Sequence, residues 1–351
     1  MAEEKVTIYT IAKEAGVSPA TVSRVLTGSA SVRSEKREKI QELIDKYHFI
    51  PNALAKGLTD TTRHTIGIIA ADVQNPYYAA MFSGCEKAAN KRGYTVMVFD
   101  SQGDTKKEES RLQILCQHRV DAIIQMGGSV DDLVTNPDYA AIVSRITERL
   151  PVVVTGKLDG TSCFRISINE SKAVELLMEH LLSLGHQKIA LVGGRLDVTS
   201  TYEKYQRYIE ILNKNRIEFH PEYIIGGGYS YEDGYKGIKK ILSLPNLPTA
   251  VIAINDMAAA GIIRGTMESG LRIPDDISIA SYDNTYIARC LLPSLTSIDY
   301  NYEKYGELLI NTAIKAAEGK EMPQQVQKIE PKLIIRESSG AVSADAWFQK
   351  T

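Results

Sequence analysis

Apolar residues recur along this chain with two different periods, and the change between them divides it. From Thr7 to Leu26 (TIYTIAKEAGVSPATVSRVL) the spacing is helical: Ile8, Ile11, Ala12 and Ala15 share one face. Gly16 interrupts that face with a residue that tolerates a left-handed turn. Ser18 follows as a natural N-cap, with Pro19 at the first helical position. A second helix, Ala20–Leu26, buries Val22 and Val25 and leaves Pro19, Ala20, Ser23 and Arg24 outside. Thr27–Arg33 reads as a loop. Ser34 is expected to cap a third helix, Glu35–Tyr47, whose Ile40, Leu43, Ile44 and Tyr47 close a three-helix core. Two short helices joined by a glycine-containing turn form a helix-turn-helix, which places the second helix in the DNA major groove.

From Arg63 the pattern changes to short apolar strands separated by helices. One series of runs is Thr65–Ala71, Tyr94–Phe99, Val120–Met126 and Val152–Thr155. A second is Lys188–Gly193, Tyr223–Gly226, Thr249–Ile254 and Ile277–Tyr282. Helical stretches lie between them, among them Tyr78–Arg92, Glu170–Leu184, Tyr231–Leu244 and Asp256–Ser269. Alternating β and α with apolar strands predicts parallel sheets covered on both faces. Two series predict two doubly wound lobes with a crevice between them. Leu295–Ile298, Glu303–Glu318 and Lys332–Arg336 would cross back between lobes. The expected division is 1–50 for the headpiece, 51–63 for a linker, 64–338 for the core and 339–351 for a tail. Within the core, one lobe is about 64–166 plus 299–328, and the other about 167–298 plus 329–338.

Charge sharpens this picture modestly. The net charge of −2 argues against a protein that coats nucleic acid over its whole surface. Residues 1–64 hold ten Lys and Arg against eight Asp and Glu, while the remainder holds 31 against 35. One headpiece with so small a surplus binds DNA weakly, so a dimer is expected. Lys36, Arg37 and Lys39 lie on the outer face of the third helix, as backbone contacts or as an ordinary solvated face. No run of about 18 apolar residues suggests a membrane span, and MAEEKVTIYT lacks the apolar core of a signal peptide, so a cytoplasmic protein is expected. Cys85, Cys116, Cys163 and Cys290 have no paired spacing for metal or redox work.

IAKEAGVSPATVSRVLTG, then VRSEKREKI, then YHFIPNALAKGL resemble the DNA-binding headpiece of the lactose/galactose repressor family. The resemblance runs from residue 7 to about 338. It implies a helix-turn-helix headpiece on a two-lobed core like that of periplasmic binding proteins, so the expected fold class is α/β with a small all-α N-terminal domain. It also implies a repressor of carbohydrate genes that binds double-stranded operator DNA as a homodimer. The expected DNA contacts are Thr7, Ser18, Pro19, Ala20, Ser23, Arg24 and Thr27, with Asn52, Ala55 and Leu58 in a hinge helix. Leu58 matches a leucine that wedges between base steps. The tail carries no heptad for a tetramerising coiled coil, and it holds the single tryptophan, Trp347. A regulator using a phosphoprotein corepressor remains the alternative, followed by a sugar-binding protein or enzyme.

Parallel lobes bind ligands at the carboxyl ends of their strands. That places Asp72, Asn75, Tyr78 and Gln125 in the first lobe, and Tyr229, Asn255 and Asp283 in the second, with Tyr300 on a crossover. Carboxylates, amides and flat rings suit a sugar or sugar phosphate. Tyr78 reads equally as core packing, and Asp256 equally as a helix cap. Lys204 matches a basic position of the family's second-lobe motif, where Arg207 replaces glycine. Lys204 or Lys157 near the crevice would suit an anionic effector, and either would equally suit a solvated surface. No HExxH, GxxxxGK[ST] or GxSxG motif is present, so neither an enzyme nor a cofactor nor a metal is expected. Inducer and corepressor remain equally open.

Overall fold

The computed structural model describes residues 6–26, 32–49, 63–320 and 325–342. Thr27, Asn52, Ala55, Leu58 and Trp347, together with residues 51–62 of the expected linker, lie outside the described residues. The chain forms two units, Met1–Arg63 and His64–Thr351.

Among its described residues, the first unit is built on three helices, α1 (Ile8–Ala15), α2 (Pro19–Leu26) and α3 (Ser34–Lys46). Thr7 starts α1 through a reciprocal capping box with Thr10. Gly16 ends it in the left-handed region at φ 68°, where its N–H reaches the carbonyls of Ala12 and Lys13. Ser18 Oγ accepts from the Thr21 N–H at 3.3 Å and so caps α2. Ile11, Ala12, Ala15, Val22, Val25, Ile40 and Leu43 make the core. Lys46 Nζ and Tyr47 Oη both donate to Glu14, which ties α3 to α1. Ser34 does not cap α3. It is the first helical residue, its hydroxyl donates forward to Glu38 at 3.0 Å, and Arg33 stands at the cap without a side-chain bond.

The second unit contains two six-stranded sheets. Its first half runs β1 (Thr65–Ala70), α4 (Pro76–Lys91), β2 (Thr95–Asp100), α5 (Thr105–Gln117), β3 (Ala122–Met126), α6 (Pro137–Thr147), β4 (Val152–Val154) and β5 (Phe164–Ile168). After α7 (Glu170–Ser183) come β6 (Ile189–Val192), α8 (Thr199–Lys214), β7 (Ile224–Ile225), α9 (Tyr231–Ile241), β8 (Ala250–Ala253) and α10 (Asp256–Glu268). β9 (Ser278–Asp283), α11 (Tyr286–Cys290), β10 (Thr296–Asp299), α12 (Tyr302–Ala317), β11 (Val326–Ile329) and β12 (Lys332–Ile334) complete it.

The first sheet is parallel, in the order β11-β5-β4-β3-β1-β2. The second has the matching order β12-β10-β9-β8-β6-β7, parallel except for its antiparallel edge strand β12. Each order reverses direction at one place, between β1 and β3 and between β6 and β8, where a crevice opens beyond the strand ends. The chain crosses between sheets after β5, after β10 and after β11. The Asn169 side-chain amide donates to Glu330 at 3.0 Å and so ties the first crossing to the third. Buried faces of α7 and α12 join one apolar cluster with residues of both sheets. α12 lies against α4 so closely that a Cβ on Gly84 would overlap the Tyr302 carbonyl, and one on Gly306 the backbone of Gly84.

Two strands were not legible as apolar runs. β5 reads FRISI, with Arg165 and Ser167 alternating among apolar residues, and β11 reads VQKI, with the adjacent polar pair Gln327 and Lys328 at its centre. Among the described residues, no helix is long and apolar enough to cross a membrane, and no group of three His, Cys, Asp or Glu is arranged to hold a metal ion.

Candidate functional site: a headpiece surface and an interlobe cavity

On the headpiece, Thr7, Ser18, Ala20 and Arg24 are exposed, and Pro19 and Ser23 half-exposed. The last four lie on α2, where Val22 and Val25 face the core. This is the polarity of a helix offered to a groove: a short apolar start, then a hydroxyl and a guanidinium. Tyr9 on α1 was not anticipated, and it is 71% exposed.

In the second unit, a cavity of about 750 Å³ opens at both points of strand-order reversal. Ala71 and Asp72 enter it after β1, Gly128 and Asp131 after β3, Arg195 after β6, and Ile254 and Asn255 after β8. Asn75 caps α4 by accepting from the Tyr77 N–H at 3.0 Å, which aims that helix start at the cavity. Asn255 does the same for α10, accepting from the Ala258 N–H at 2.8 Å while its amide donates to the Tyr229 carbonyl at 3.0 Å. Tyr78, Tyr229 and Tyr300 add aromatic walls. Tyr77 stands edge-on to Tyr78, Tyr300 and Tyr302, a geometry that suits their ring quadrupoles. Tyr229 Oη lies 2.8 Å from Thr201 Oγ1.

Asp283 ends β9 with φ 100°, a strained value for a residue with a Cβ. Asp256 beneath it explains the strain. Its buried carboxylate accepts from Ser281 Oγ at 2.6 Å, Ser297 Oγ at 2.9 Å, and the N–H and hydroxyl of Thr285 at 2.6 and 2.9 Å. Tyr302 Oη donates to the Asp283 carbonyl at 2.8 Å. The loop is thereby held with the Asp283 side chain facing the cavity, 8% exposed. Burial, then the Asp256 charge, raises the Asp283 carboxyl well above its ordinary range.

Lys204 lines the cavity, but it pairs with Glu170 at 2.7 Å, both side chains being less than a tenth exposed. Its ammonium also lies over the Tyr282 ring at 5.0 Å. Burial raises the Glu170 carboxyl, and Lys204 opposes that shift. The mouth is bridged from both sides. Asp132 and Val198 form an antiparallel bridge, the Thr199 N–H donates to the Asp131 carbonyl at 2.7 Å, and the Leu133 N–H donates to the Asp197 carbonyl at 2.7 Å.

Eight of the nine expected effector residues line this cavity: Asp72, Asn75, Tyr78, Lys204, Tyr229, Asn255, Asp283 and Tyr300. Gln125 does not. Its position on β3 turns it into the core, where its Oε1 accepts from Tyr139 Oη at 2.6 Å. Lys157 is not on the cavity wall either, and sits 3.4 Å from Asp159. Arg207 bridges Glu175 and Glu210 on the outside of α8. Asp131, Glu170, Arg195 and Thr199 were not anticipated. Asp131 follows β3 beyond the glycine pair Gly127–Gly128, and that pair was the available signal for a loop turned into the crevice.

Residues 7–52 match the family model described as bacterial regulatory proteins, lacI family, and residues 178–339 match that of a periplasmic binding protein-like domain. The chain is 30% identical to the HTH-type transcriptional repressor PurR of Pasteurella multocida, over 95% of this chain and 98% of that one. It is 29% identical to catabolite control protein A of Priestia megaterium, over 95% and 99%. A crystal structure of the lac repressor dimer bound to operator and the anti-inducer ONPF superimposes with a TM-score of 0.86, at 26% identity, covering 96% of this chain and 100% of that one. With the helix-turn-helix and the paired doubly wound sheets in place, the chain belongs to the lacI family of bacterial regulatory proteins and is a DNA-binding transcriptional regulator.

Proposed function

We propose that this regulator is a homodimeric, cytoplasmic repressor of carbohydrate utilisation genes, switched by a small hydroxylated ring compound in the cavity, which binds without turnover. The observation that carries this reading is the origin of the walls: Asp72 and Asp131 come from one sheet, and Asn255 and Asp283 from the other. A ligand touching all four has different affinities for different arrangements of the sheets. That differential affinity is what shifts a regulator between DNA-binding states. The lac repressor structure, a dimer on operator with an anti-inducer bound, supports the same assembly here.

On DNA, Pro19 and Ala20 would meet base edges or thymine methyls, and Arg24 would donate to guanine. Thr7, Ser18, Ser23 and Thr27 would hold phosphates, and Asn52, Ala55 and Leu58 would act at the minor groove.

The test is selection from a random DNA library by the full chain, followed by mobility shift of the enriched duplex with mono- and disaccharides added. The expected outcome is an inverted repeat whose affinity changes with one sugar class, and the direction of change separates inducer from corepressor. No enriched sequence would overturn the reading.

A further inference from the structure

Charge distribution and aromatic content in the cavity point to a narrower ligand class. Resting on the reading that this cavity holds the effector, we propose that it selects a small hydroxylated molecule bearing a protonated amine over its neutral or anionic counterparts. Among the described residues, seven carboxylates line the cavity against three cations. Lys204 is neutralised by Glu170 at 2.7 Å, and Arg195 by Asp197 through two bonds of 2.9 and 2.7 Å. The third cation, Arg165, lies in register with Val154 at the carboxyl end of β4, and its Nε is buried without a hydrogen-bond partner among the described residues, so it is outnumbered by the acids but not neutralised.

Four of these carboxylates, Asp131, Asp132, Glu203 and Asp283, have no side-chain hydrogen-bond partner among the described residues, and two of them face the space from opposite sheets. Asp283 enters from the second sheet, more than nine-tenths buried, and Asp131 from the first. The hydroxyl of Tyr300, also buried and lining the cavity, has no partner either. Uncompensated buried acceptors are costly, and a ligand that brings a positive donor removes that cost. Electron-rich faces of Tyr78, Tyr229 and Tyr300 add attraction for a cation. A phosphate placed there would meet the same carboxylates as like charges.

Calorimetric titration of the full chain at neutral pH tests this with ring-matched sets: glucose, glucosamine and glucose 6-phosphate; the galactose and mannose equivalents; and cellobiose beside the glucosamine disaccharide. In any set that binds, the amine is expected to bind about tenfold or more tighter than its neutral partner, and the phosphate most weakly. Asp131→Asn and Asp283→Asn should each cut the amine's advantage to about twofold or less, with the melting temperature not lowered. A neutral or phosphorylated member that binds tighter than its amine overturns the proposal. So does the failure of every amine to bind a folded chain that still holds its selected DNA. Loss of DNA selection with the amine ratio intact would instead overturn the regulatory reading.

Discussion

The Thr199 N–H donates to the Asp131 carbonyl at 2.7 Å, joining the loop after β6 to the loop after β3 across the mouth of the cavity. The Thr199 hydroxyl adds a second bond, to the Asp132 carbonyl at 3.1 Å. These two bonds thus bridge the mouth of the cavity between the lobes.

Thr199→Val keeps the backbone bond and the side-chain shape while removing the hydroxyl. One such bond contributes about 0.5–1.5 kcal/mol. The expected result is ligand dissociation roughly two- to tenfold faster in stopped-flow measurements. An unchanged rate would show that this crossing does not limit release.

Breaking the Lys204–Glu170 pair leaves a buried charge without compensation. Lys204→Met alone should destabilise the second unit by about 3–5 kcal/mol, read by urea denaturation. Lys204→Met with Glu170→Leu removes both charges and should recover most of that loss. Equal losses in the single and double variants would mean that the contact of the Lys204 ammonium with the Tyr282 ring sets the energy instead.

Asp131 carries a pH signature. Burial first, then the charges of Glu170, Asp132 and Glu108, push its carboxyl up to about 7, with Lys204 opposing. Tyr77, Tyr78, Tyr229 and Tyr305 feel its charge as well. A raised carboxyl holds its proton in the folded state where the unfolded chain has lost it, so stability falls as pH rises from about 4 to about 7 and levels off above that. Asp131→Asn should remove about 2 kcal/mol of that slope, a figure reduced for partial exposure. Urea midpoints at either end of the window check this. Amine binding should strengthen over the same interval as the carboxylate forms, with a proton released on binding.

Arg24 is exposed on α2. Arg24→Ala should cost about 1–3 kcal/mol on the selected DNA and little on random duplex, if it donates to a base. Equal losses on both, measured by fluorescence anisotropy at fixed salt, would make it a phosphate contact.

The headpiece was legible because its signals are local. Thr7, Gly16, Ser18 and Pro19 act on neighbours within four residues, and the apolar faces of α1 and α2 need no distant partner to be recognised. Ser34 shows the limit of the same logic, since its hydroxyl turned forward to Glu38 rather than capping. In the core, strands buried on both faces announced themselves as apolar runs, whereas β5 and β11 are interrupted by polar residues and did not. The strand-end rule located Asp72, Asn255 and Asp283, because the carboxyl end of a parallel strand is a property of chain direction.

Which side chains turn into the cavity was decided elsewhere. Gln125 lies inside β3 and the pleat sends it to Tyr139, while Asp131 arrives after a glycine turn. Lys204 is basic in the sequence and neutralised in the fold, because Glu170 reaches it from another helix. Local backbone preference depends on near neighbours and can be read along the chain. The charge and shape of a cavity depend on strand register and on pairs far apart in sequence, which form when the two sheets come together.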